Sequence, residues 1–61
     1  MEKEKLRHFR KELKASQRVM TLAIKRLEEG RYKSAVELMR AEAADIFKLA
    51  DELSDVTEQQ S

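Results

Sequence analysis

The chain has 61 residues, with 13 Lys and Arg against 12 Asp and Glu, one His, one Gly, no Pro and no Cys. That length allows one domain, spanning 1–61, and the absence of Cys excludes disulfides and thiolate metal centres. A single His cannot build a His-based metal site without carboxylate help, so no metal or cofactor is expected.

Charged residues make up 41% of the chain and apolar residues another 41%. The apolar residues recur periodically, which a disordered tail would not show. No apolar run approaches the roughly 20 residues needed to span a bilayer. The opening residues Met1-Glu2-Lys3-Glu4-Lys5 lack the apolar centre of a signal peptide, so a cytoplasmic protein is expected. Below roughly 70–80 residues one core rarely stabilises a fold alone. With disulfides and metal excluded, self-association is the route left. The charge is also uneven: residues 1–29 hold nine Lys or Arg against five acids, and residues 30–61 hold four against seven. Two antiparallel helices of opposite charge would attract along their length; a nucleic-acid face is the other reading.

The first helix is expected over about 2–29. Leu6, Phe9, Leu13, Ser16, Met20, Ala23 and Leu27 follow spacings of three and four, a seven-residue repeat. With Leu6, Leu13, Met20 and Leu27 at heptad position a, the large residues lie at a and the d row (Phe9, Ser16, Ala23) shrinks along the chain. Ala15, Val19 and Leu22 extend the stripe to one side and Ile24 to the other, which implies a second packing surface. On the back, Arg7, Lys11, Lys14, Arg18 and Lys25 form a basic stripe about 27 Å long at 1.5 Å per residue. An ordinary solvated face is the plain reading of that stripe, and contact with a nucleic acid the sharper one.

The only glycine ends this helix. Gly30 suits a left-handed terminal residue. Ser34 and Glu37 have capping-box spacing with Ser34 as N-cap; alternatively the second helix starts sooner, at Arg31 or Tyr32. Either way the turn covers about 30–33 and forces antiparallel neighbours. The run Gly30-Arg31-Tyr32-Lys33-Ser34-Ala35-Val36-Glu37-Leu38 resembles the turn and second helix of a tetratricopeptide repeat, and the joint of the helical hairpins in sporulation phosphotransferases. The likeness implies a helical hairpin. The chain holds no second copy, whereas a solenoid needs about three repeats.

The second helix is expected over about 32–58, with a frayed tail at 59–61. Its large residues Tyr32, Met39, Ile46 and Leu53 occupy d, and Val36, Ala43, Ala50 and Thr57 occupy a. Two registers remain open for the hairpin seam. One sets Leu27 against Tyr32, Met20 against Met39 and Leu13 against Ile46. The other slides by three residues and sets Met20 against Ala43, Ser16 against Ile46 and Leu13 against Ala50, large facing small. Outside the seam, Ala15, Val19, Leu22, Ala35, Leu38, Leu49 and Val56 share one flank, interrupted by Glu42 and Asp45. That flank is expected to join two hairpins into a dimeric four-helix bundle. The opposite flank carries Arg10, Gln17, Arg40 and Ser54, with Ile24 and Phe47 as apolar exceptions.

Nothing here points to catalysis. His8 is the one residue that titrates near neutrality in free solution, and an exposed His in a helical hairpin resembles the phosphoacceptor of sensor kinases. The run His8-Phe9-Arg10-Lys11-Glu12-Leu13 displaces the acidic neighbour of that family and lacks its Pro. Asp51/Asp55 and Glu42/Asp45 share helix faces, but the Glu-x-x-His motif of di-metal bundles is absent. The expected protein is therefore an all-α, non-enzymatic hairpin, a homodimer that modulates or scaffolds a larger protein partner. The alternative is a nucleic-acid-binding regulator using the basic stripe, since size and layout resemble the plasmid RNA-regulatory Rop proteins. A histidine phosphotransfer hairpin acting through His8 is more remote.

Overall fold

Two long helices account for the structure. The computed structural model describes residues 2–60, with side chains as far as Glu58. Helix α1 spans Lys3–Glu28 and helix α2 spans Tyr32–Gln60. They fold back on each other into an antiparallel hairpin 46 × 17 × 10 Å in extent. The long dimension is that of a single helix, since 29 residues at 1.5 Å each reach about 44 Å. Helix α2 thus runs two residues beyond its expected end, and Ser61 of the expected frayed tail lies outside the described residues.

The ends of α1 follow from its sequence. Glu2 is extended and its carbonyl accepts from the Leu6 amide at 3.0 Å. Glu4 in the first turn and Lys25 and Arg26 in the last suit the helix dipole. Gly30 has φ +77° and is the only described residue with positive φ. Around it the Arg31 amide donates to the Arg26 carbonyl at 2.8 Å and the Gly30 amide to the Leu27 carbonyl at 3.1 Å. This crossed pair is a Schellman motif, which satisfies carbonyls that a helix end leaves open. It also decides where α2 begins. Arg31 is already committed to the cap, and its carbonyl accepts from Ala35 at 3.1 Å. Helix α2 therefore starts at Tyr32, the earlier of the two expected starts, and Ser34 is its third residue.

A Cβ added at Gly30 meets nothing within 4 Å. Its cost is therefore conformational alone. Gly30→Ala is expected to lower stability by about 1–2 kcal/mol, the left-handed penalty for an L-residue. Gly30→Val should cost more because its branched Cβ tolerates positive φ worst. Thermal unfolding of the two variants at equal concentration checks the order.

The interior differs from the expected seam. Phe9, Ala23 and Ala35 are the buried apolar residues, at 6%, 5% and 3% exposure. Ser16, Val19, Leu38, Leu49 and Val56 are half-buried beside them. The helices thus meet on the d and g rows of α1 and the g and c rows of α2. The expected large row does not lie inside: Leu6, Leu13, Met20 and Leu27 are about half exposed, as are Tyr32 and Met39. Each helix has turned about its axis by one heptad row. The physical reason is size. Ala23, Ala35 and Ser16 allow two backbones to approach closely, whereas large residues facing large ones would hold them apart. His8 stands 3.6 Å from Glu52, which puts Leu13 level with Ile46 and Met20 level with Met39. These are the levels of the first register, with the large residues side by side on the outside.

Candidate interaction surface

One face of the hairpin carries large apolar residues from end to end, with Arg10, Gln17, Arg40 and Ser54 along its rims. On α1, Leu6, Leu13, Met20 and Leu27 stand about 80° round from the buried line, joined by Ile24. On α2, Tyr32, Met39, Ile46 and Leu53 stand a similar angle from theirs, with Val36 and Phe47 at the outer edge. In an antiparallel pair, equal angular offsets point to the same side, so both rows share one face. Their exposures run from 36% at Leu53 to 71% at Phe47. Ala43 and Ala50 fill the spaces between them on α2 and are also exposed. Thr57 bonds its hydroxyl back to the Leu53 carbonyl at 2.8 Å, so it brings no unmet donor to this face.

The flank expected to join two hairpins is therefore divided. Val19, Ala35, Leu38, Leu49 and Val56 lie in the hairpin's own interface. Ala15 and Leu22 are exposed on the opposite side. Most of their surface is taken up by the other helix, and Val19 and Leu49 show what remains only to the groove on the polar side. The face left for a partner is the large-residue row that the sequence had placed inside. Ile24 and Phe47 were the available signal: large apolar residues beyond the expected seam, on the side that proves to be open.

The opposite face is polar. Between the helices runs an open groove of about 460 Å³, lined by His8, Glu12, Ala15, Ser16, Val19, Glu42, Asp45, Lys48, Leu49 and Glu52. The His8–Glu52 contact crosses one end, with both side chains about half exposed. Such a surface pair contributes about 0–1 kcal/mol. The His8 ring also meets Phe9 edge-on, with centroids 5.2 Å apart. Ser16 and His8 line the same groove but are two helical turns apart, about 12 Å along the axis. That spacing forms no nucleophile–base pair. Among the described residues no group of three His, Cys, Asp or Glu is arranged to hold a metal ion. Nor is any described helix long and apolar enough to cross a membrane.

The basic stripe stands on the outer surface of α1. Arg7, Lys11, Lys14 and Arg18 line a shallow depression together with Arg10, and Lys25 continues the line toward the turn. None of Arg7, Lys11, Lys14, Arg18 or Lys25 forms an ion pair among the described residues. The depression also takes in Glu12 and Ala15, which line the groove as well.

No family model, curated protein or solved structure matches this chain.

Proposed function

We propose that this chain is a non-enzymatic interaction protein that works as a homodimer, two hairpins closing their apolar faces into a four-helix bundle that modulates or scaffolds a larger protein. The observation that carries this reading is the continuous apolar face on α1 and α2. Its scale supports a second copy as the occupant. The hairpin exposes 5337 Å². A compact monomer of its mass, 7.2 kDa, would expose about 4,100 Å² by the usual scaling. The excess is about 1,200 Å² per chain, so a pair would bury about 2,400 Å², the range of obligate homodimers. A self-complementary face is what a twofold contact requires. Sedimentation equilibrium tests the reading: twice the chain mass is expected at micromolar concentration, and a folded monomer there would refute it.

The second reading rests on the unpaired cations of the α1 stripe. Counterion release would make binding to RNA or DNA fall steeply with salt. Changing Arg7, Lys14 and Arg18 together to Ala should then abolish binding at low salt without altering the sedimentation mass. If wild-type protein shifts no RNA or DNA at low salt, the stripe is a solvated face. The seven acids of α2 against three Lys or Arg oppose this reading, because a phosphate backbone would be repelled wherever it met them.

A further inference from the structure

The polar groove holds a side chain that the hairpin leaves unanswered. Glu42 is only 6% exposed, yet no hydrogen bond or ion pair reaches it among the described residues. Its stem is buried, while its carboxylate has no protein partner and keeps its contact with water, which a docking cation would replace. Glu42 opens onto the groove, where Glu12, Asp45 and Glu52 add three more carboxylates. Against these four stand Lys48 and His8, and His8 is already directed at Glu52. Beneath the charges Ala15, Val19 and Leu49 provide an apolar floor.

We infer that this groove is a docking site for a basic amphipathic helix of a partner protein, with a Lys or Arg of that helix inserted against Glu42. The cation answers that carboxylate, and apolar residues one turn away on the docking helix cover Val19 and Leu49. A helix lying between two others is the ordinary way an amphipathic segment is bound in a groove. The inference rests on the interaction-protein reading and gives its larger partner a chemistry. Dimerisation through the opposite face leaves both grooves outward, so a bundle offers two such sites.

The probe is a synthetic helical peptide of Leu and Lys, about 18 residues so that it holds a helix across the groove, with a Leu and Glu peptide of the same pattern as control. Methyl NMR of the full chain should show saturable binding of the Leu–Lys peptide, shifting Val19 and Leu49. Glu42→Gln should weaken it about tenfold or more, as expected when one member of a desolvated charge pair is removed. Asp51→Asn, outside the groove, should change it less than about twofold. Equal binding of the Leu–Glu peptide, shifts at Leu13 and Ile46 in place of Val19 and Leu49, or unchanged affinity in Glu42→Gln would each overturn the inference. Sedimentation is independent of this outcome. A monomer that still takes the peptide at Glu42 overturns the homodimer and keeps the groove, and a dimer that ignores the peptide does the reverse.

Discussion

Changing Leu13 and Ile46 together to Glu is expected to dissociate the proposed bundle and leave the chain largely unfolded at micromolar concentration. The two residues are level with each other at the middle of the open face, and both retain exposed surface in the hairpin, 50% and 37%. Burying the remaining half of a large aliphatic side chain stabilises by about 1–1.5 kcal/mol. In a symmetric dimer each position occurs twice, so four such contributions are lost, about 4–6 kcal/mol before any cost of burying the new carboxylates. The dissociation constant then rises by about three to four orders of magnitude. A hairpin this small has little stability of its own once its partner is gone, so circular dichroism should fall along with the sedimentation mass. Leu22→Glu is the control: Leu22 is 39% exposed but lies on the other side, and its change should leave the mass intact. Val19→Glu with Leu49→Glu would be uninformative about the dimer, because both residues are inside the hairpin and their change opens it directly. A wild-type mass retained by the Leu13/Ile46 variant would show that the open face is not the contact.

The turn and both helices were legible because each has a local cause. A lone Gly between two periodic runs needs no tertiary information, and the Schellman bonds at Arg26, Leu27, Gly30 and Arg31 are what such a Gly permits. The starting residue of α2 was less legible, since Ser34 and Glu37 offer a capping box that competes with an earlier start. The cap of α1 settles that competition by engaging Arg31, a fact of geometry that no spacing shows. The inner face was the least legible part. Each helix carries an apolar stripe wide enough for two seams, one through Phe9, Ser16 and Ala23 and one through Leu6, Leu13, Met20 and Leu27. Periodicity says that both will be covered. It does not say which is covered by the chain's own second helix. Close approach on Ala23 and Ala35 decides it, and that preference depends on backbone distance, not on hydrophobic pattern. Glu42 shows the same limit from the other side. In sequence it only interrupts an apolar flank; in the structure its stem is buried and its carboxylate opens on a groove.

Replacing Glu42 with Leu is expected to raise stability while removing a capacity. Leu38 and Leu49 lie on the same buried line of α2 one and two turns away, so a Leu at 42 would complete that line without a change of backbone. It adds about 1 kcal/mol of apolar burial and takes one carboxylate out of a groove where Glu12, Asp45 and Glu52 repel it. For a chain of this size that corresponds to a rise in Tm of about 5–10 °C, measured by thermal unfolding at one fixed concentration, since the transition of a dimer shifts with concentration. A fall in Tm would show instead that Glu42 makes a stabilising contact within the hairpin and is already answered there. A rise has a second consequence. A residue that weakens the hairpin at a position where Leu would strengthen it is explained most simply by what it binds, because stability and function trade against each other at sites that need an exposed or buried charge. The same Glu42→Leu protein should therefore melt later than wild type and no longer hold the Leu–Lys peptide. The two changes have one origin: the carboxylate that costs stability in the free hairpin is the one that receives the incoming cation.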